Sequence, residues 1–147
     1  MTLEPDTYDM PFYWRISGGL RLESTVVLAG LIPEQSKRFY IQFANGQYER
    51  AKALRLEAHF DDLPYMAIVT LNCFEDRPRI KESPLKPGRR FTIKINVTRN
   101  SYKIFANGRF LDEFPHCFPP KDAIFLEMDG DVMLEELKFL PPHPAGH

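Results

Sequence analysis

Apolar and polar side chains alternate most clearly over Phe91-Thr92-Ile93-Lys94-Ile95-Asn96-Val97. Phe91, Ile93, Ile95 and Val97 fall on one face of an extended chain, so a half-buried strand is predicted there. Tyr102 to Phe105 and Phe110 to Phe114 flank Asn107-Gly108, a pair that favours the tight turn matched to strand twist, and together they predict a hairpin. Phe39 to Phe43, closed by Asn45-Gly46, and Ile124 to Met128, closed by Asp129-Gly130, repeat the sequence of strand then turn. About eleven such runs alternate with Gly, Pro, Asn and Asp clusters, the spacing of an all-β sandwich or barrel.

Two segments read both ways. Residues 49–60 are rich in good helix formers, yet Leu54, Leu56, Ala58 and Phe60 alternate with Arg55, Glu57, His59 and Asp61, which fits a strand with one polar face. Between Val132 and Phe139 the apolar phase changes after Leu134, and a bulge at Glu135-Glu136 reconciles the two halves. Gly18-Gly19 reads as a turn, with no phosphate-binding residues after it.

The chain has 147 residues, 44% of them hydrophobic, with 19 basic against 20 acidic side chains and a formal charge of −1. That balance gives no electrostatic reason to expect nucleic acid or an acidic membrane surface as partner. No apolar run approaches the roughly 20 residues that cross a bilayer, and Met1 to Met10 has neither the basic nor the apolar part of a secretory signal. Three segments are expected: an acidic tail over 1–10, one domain over 11–140 and a Pro-rich tail over 141–147. Cys73 and Cys117 are too few for a disulfide framework and too isolated for a zinc site, so they read as buried or idle thiols. Asn96-Val97-Thr98 matches the N-glycosylation pattern and is read as chance. Asp61 and Asp62 are adjacent and would face opposite ways on a strand, so no carboxylate pair for hydrolysis is evident, and the chain is not expected to be an enzyme.

What remains is a polar strand face with His59 and Asp61, followed by Asn72, Phe74, Arg77 and Arg79. Imidazole, amide and guanidinium groups hold donors and acceptors in the fixed directions that sugar hydroxyls need, and an aromatic ring packs on the apolar face of a pyranose. A solvated strand face is the plainer alternative on residue types alone.

From Pro11 to Leu140 the chain resembles a galectin carbohydrate-recognition domain. The resemblance is carried by Pro11 to Leu20 with its Gly18-Gly19-Leu20 turn, Val26 to Gly30, Arg38 to Phe43, Pro87-Gly88, Phe91 to Ile95, Asn107-Gly108, Phe114-Pro115-His116 and Gly130-Asp131-Val132. It implies a jelly-roll, concanavalin-like sandwich of two antiparallel sheets with sugar read on the concave face of one. The family's sugar motif runs His-x-Asn-Pro-Arg, then a separate Asn, then Trp-x-x-Glu-x-Arg. Here His59 matches the histidine, while Asp61, Asp62 and Leu63 stand at the Asn, Pro and Arg places. Asn72 matches the separate asparagine. Counting back from Pro87-Gly88 places Arg79 at the final arginine, Arg77 at the glutamate and Phe74 at the tryptophan.

The resemblance therefore implies a carbohydrate site of His59, Asp61, Asn72, Phe74, Arg77 and Arg79, with no metal or other cofactor. Each lost sugar contact costs on the order of 1 to 3 kcal/mol, so weak or altered β-galactoside binding is expected, and the Arg77 and Arg79 pair suggests an anionic glycan. The alternative is a galectin-shaped interaction domain that has lost sugar binding and contacts protein near Leu63 and Tyr65. Expected partners are glycans or glycoproteins, without nucleic acid or membrane insertion; the family includes homodimers, and Phe12 and Trp14 are as readily core as interface. The expected location is the cytoplasm, with export by a signal-independent route as the family shows.

Overall fold

Alternation along the chain becomes a two-layer sandwich, seen in a computed structural model that describes residues 8–46, 52–61, 68–73 and 78–142. Among these residues there are eleven strands: β1 Phe12–Arg15, β2 Thr25–Leu31, β3 Arg38–Ala44, β4 Lys52–His59, β5 Ile68–Asn72, β6 Arg79–Glu82, β7 Arg90–Val97, β8 Ser101–Ala106, β9 Arg109–Pro115, β10 Phe125–Gly130 and β11 Met133–Leu140. The only helical element among them is a 3-10 turn over Pro120–Asp122. A six-stranded sheet runs β1-β10-β3-β4-β5-β6 and a five-stranded sheet runs β11-β2-β7-β8-β9, with every pairing antiparallel.

One phase of each strand fills the space between the layers. Phe39, Ile41 and Phe43 of β3, Leu54, Leu56 and Ala58 of β4, and Val69 and Leu71 of β5 are buried from the six-stranded sheet. Phe91, Ile93, Ile95 and Val97 of β7 are buried from the other, as their alternation predicts. Each large side chain so buried contributes about 1.5 to 3 kcal/mol of transfer free energy. This packing overrides the helix propensity of residues 49–60, because β4 gains a paired neighbour on both edges and a core for its apolar face. The β2–β11 register shifts between Leu134 and Glu136, so the predicted bulge sits where the apolar phase changes.

The turns follow their local chemistry. Asn107 and Gly108 have φ of 49° and 80°, the left-handed pair of a tight hairpin between β8 and β9. Gly19, at φ 78°, lies so close to Lys121 that an added Cβ would stand 1.9 Å from the Lys121 carbonyl oxygen. The residues read as an acidic tail are not all separate from the domain: Tyr8 bridges to Leu134, and Tyr8 and Met10 pack on the core.

The reading of the cysteines as idle thiols is overturned. Cys73, just after β5, is joined to Cys117, just after β9, in a disulfide that ties one sheet to the other across 44 residues of chain. Sequence spacing gives no sign of it, because the contact is made by the packing of two sheets. No helix among the described residues is long and apolar enough to cross a membrane.

Candidate functional site

The apolar phase of the six-stranded sheet faces the core, so its polar phase faces out, and strand register lays that phase out as rows. Tyr13, Glu127, Gln42, Arg55 and Asn72 form one row across β1, β10, β3, β4 and β5. Asp129, Tyr40, Glu57, Thr70 and Ile80 form the next, and Arg38, His59, Ile68 and Glu82 a third.

These rows are bonded into one network. Arg55 lies flat over the Tyr40 ring, its guanidinium carbon 3.8 Å from the centroid, a cation–π contact that fixes the plane of the fork. From there it donates to Gln42 Oε1 and to Glu57 Oε2, each at 2.9 Å. Gln42 Nε2 donates to Glu127 Oε1 at 2.9 Å, and the Tyr40 hydroxyl donates to Glu127 Oε2 at 2.5 Å. Burial, followed by that bond to Glu127, pushes the Tyr40 phenol well above its ordinary pKa, so it stays a donor.

At the other end of β4, His59 Nε2 stands 3.0 Å from Glu57 Oε1 and 3.3 Å from Thr70 Oγ1. A nitrogen facing a carboxylate carries a proton, which leaves Nδ1 of a neutral ring as an acceptor for an incoming hydroxyl. Asn72 Oδ1, another acceptor, is buried and takes no hydrogen bond among the described residues. Arg38 holds Asp61 at 2.8 Å beside His59. The arrangement offers fixed donors at Arg55 and acceptors at Glu57 and His59. Among the described residues no group of three His, Cys, Asp or Glu is placed to hold a metal ion.

The expected site residues are only partly brought together. His59, Asp61 and Asn72 belong to the outer face, but Asn72 stands across from Arg55, four residues along β4 from His59, roughly 13 Å at strand spacing. Thr70 is the β5 residue that meets His59. Arg79 is not on this face. Its register partner is the core residue Leu71, and it crosses the sandwich edge to β9, where Nε lies 3.4 Å from Asp112 Oδ2 and an N–H donates to the Glu113 carbonyl at 3.2 Å. Lys81 reaches the same Asp112 at 3.8 Å. Phe74 and Arg77, like Asp62, Leu63 and Tyr65, lie outside the described residues.

Sequence reasoning missed Tyr40, Gln42, Arg55, Glu57 and Glu127. Their signal was present as polar residues at every second position of strands whose other phase is apolar.

The sequence profile described as galactoside-binding lectin matches residues 11–139. Among curated proteins the chain is similar to galectin-4 of Homo sapiens, 29% identical over 138 residues, which cover 92% of this chain and 43% of that protein. It is also similar to the 32 kDa beta-galactoside-binding lectin of Haemonchus contortus, 26% identical over 130 residues, covering 86% of this chain and 44% of that protein. The chain thus spans less than half the length of these relatives. Among solved structures, a variant of human galectin-16 superposes with a TM-score of 0.79 at 20% identity, covering 92% of this chain and 98% of that one. Sheep galectin-11 in complex with glycerol gives 0.77 at 18% identity, covering 90% and 99%. At those identities the structural likeness speaks for the fold.

Proposed function

The chain belongs to the galactoside-binding lectin family, the galectins, and on that premise we propose that the outer face of its six-stranded sheet binds a neutral, galactose-type glycan with low affinity. One observation carries the reading: His59 and Asn72, which match the family motif, share a face with a bonded row of Arg55 and Glu57 that leaves an acceptor at His59 Nδ1. Arg55 keeps N–H donors beyond the two it uses within the network, because a guanidinium carries five.

Neutral rather than anionic ligands suit this face. Glu57, Asp61, Glu82, Glu127 and Asp129 outnumber Arg15, Arg38 and Arg55 there, and Arg79 is spent on Asp112. A sulphate or sialic carboxylate approaching His59 would meet like charge. Affinity is low because Leu63 stands at the family's arginine position and Asp61 at its asparagine, each lost contact costing roughly ten- to hundredfold. The Cys73–Cys117 disulfide supports action in an oxidising compartment.

A second reading, a protein-binding face, is favoured by Ile80, 62% exposed beside Thr70. It offers aliphatic surface where a pyranose stacks best on an aromatic ring. The test is a chemical-shift titration with lactose and with 3′-sulphated lactose. Lactose is expected to move His59, Thr70 and Arg55, with Glu57→Gln weakening it about tenfold and Arg79→Ala leaving it unchanged. A flat response to both sugars sinks the glycan reading. Sulphated lactose binding tighter than lactose sinks the neutral preference.

A further inference from the structure

At the β1 edge of the six-stranded sheet, where β1 ends and β11 runs out, an open groove of about 320 Å³ lies between the two sheets. Its walls are apolar: Trp14, Leu20, Phe139 and Leu140 line it, and Phe139 and Leu140 are among the large apolar side chains left exposed. Its rim is basic. Arg15 and Arg21 both line it, and neither has a carboxylate partner among the described residues. Arg15 lies over the Phe125 ring, 5.8 Å from the centroid. A second depression of about 460 Å³ adjoins the first through Leu20 and Arg21 and adds a third cation, Lys121, with Leu22 and Pro120 as further apolar wall.

Of the other described arginines, Arg38 is matched to Asp61, Arg55 to Glu57, Arg79 to Asp112 and Arg90 to Glu135, while Arg89, Arg99 and Arg109 are unpaired but do not line this groove. Two arginines without carboxylate partners among the described residues line an apolar groove, which suits a ligand with a hydrocarbon body and a negative head. The groove lies at the small end of the size range for small-molecule sites. A guanidinium fork grips a carboxylate through paired charge-assisted hydrogen bonds, while Trp14 and Leu140 take methylene groups out of water. We propose that this groove binds a free alkyl carboxylate, a short fatty acid being the simplest member of the class. Of the groove residues the argument uses, only Arg15 also belongs to the outer phase of the six-stranded sheet, on β1 and three strands from His59, and the site stands whether or not that face binds lactose.

Trp14 is the single tryptophan of the chain, so its fluorescence reports on this groove alone. The full chain is titrated with octanoate, with 1-octanol as the uncharged match, and with phosphatidylcholine vesicles containing phosphatidylserine. A saturable change in Trp14 emission with octanoate is expected, with octanol at least about tenfold weaker. The double variant Arg15→Ala/Arg21→Ala should lose about tenfold in octanoate affinity at an unchanged melting temperature. Leu140→Glu, at a side chain already 45% exposed, sets a carboxylate at the groove and should abolish the response. A change that grows without saturating overturns the proposal. So does equal binding of octanol and octanoate, an affinity unmoved in both variants, or a response to vesicles with none to octanoate.

Discussion

Tyr102 shows what one buried atom can decide. Its ring is fully buried between Phe43 and His116, and its hydroxyl has no hydrogen-bond partner among the described residues. Burial raises the phenol's pKa far above its ordinary value, so the group stays neutral and contributes volume and ring contacts. Tyr102→Phe removes the unsatisfied hydroxyl and keeps the ring, and a thermal melt should find the variant as stable as the parent or up to about 1 kcal/mol more so. A clear loss would mean that the hydroxyl is bonded after all. Asp61 is the opposite case, an exposed group with a partner. The hydrogen bond from Arg38 holds its carboxyl below the ordinary carboxylate range. A lowered folded pKa means the pair favours the fold above the unfolded value of about 3.9 and that this contribution is lost as pH falls through the lowered one. In Arg38→Ala the Asp61 carboxyl, followed by carbon NMR, should titrate at higher pH than in the parent. An unmoved midpoint would show that the ion pair does not persist in solution.

Among the elements, β5 and β6 carry most of the consequence. The disulfide fastens the end of β5 to the end of β9, and Arg79 and Lys81 of β6 close the same edge on Asp112. Closing a loop of 44 residues restricts the unfolded chain by about 4 kcal/mol in the chain-entropy account. Cys73→Ala/Cys117→Ala should therefore unfold at clearly lower urea, by 2 kcal/mol or more, and a loss under about half a kcal/mol would remove the bridge from the ledger of stability. The same edge marks where the sequence stops being legible. Alternation in β7 and the Asn107-Gly108 turn are local facts, so strands and hairpins read directly. Counting back from Pro87-Gly88 locates Arg79 along the chain but says nothing of its face, because a shift of one residue in pairing turns every side chain over. The Cys73–Cys117 contact and the row from Glu127 to Asn72 join residues far apart in sequence, and only the stacking order of the strands makes them neighbours. The polar phase of β3 and β4 was visible; what it was bonded to was not.

At the scale of the molecule, one proposed site lies on the outer face of the six-stranded sheet around β4 and the other at its β1 edge. Trp14 lies on β1 and His59 on β4, with β10 and β3 between them, a lateral separation of roughly 14 Å at strand spacing. Both intervening strands are paired on each side and anchored in the core through Leu126, Met128, Phe39 and Ile41. With both strands so held no coupling is expected, because coupling between sites requires an element whose equilibrium both ligands bias. Each ligand should then stabilise the fold by its own mass-action term, which reaches about 2.7 kcal/mol at a concentration one hundred times its dissociation constant. Lactose and octanoate added together should raise the melting temperature by the sum of their separate shifts, within error. The octanoate affinity read from Trp14 should not change when lactose is saturating. A sum that falls short, or an octanoate affinity that lactose moves, would show that β10 and β3 shift as a unit and that the sheet transmits between β1 and β4.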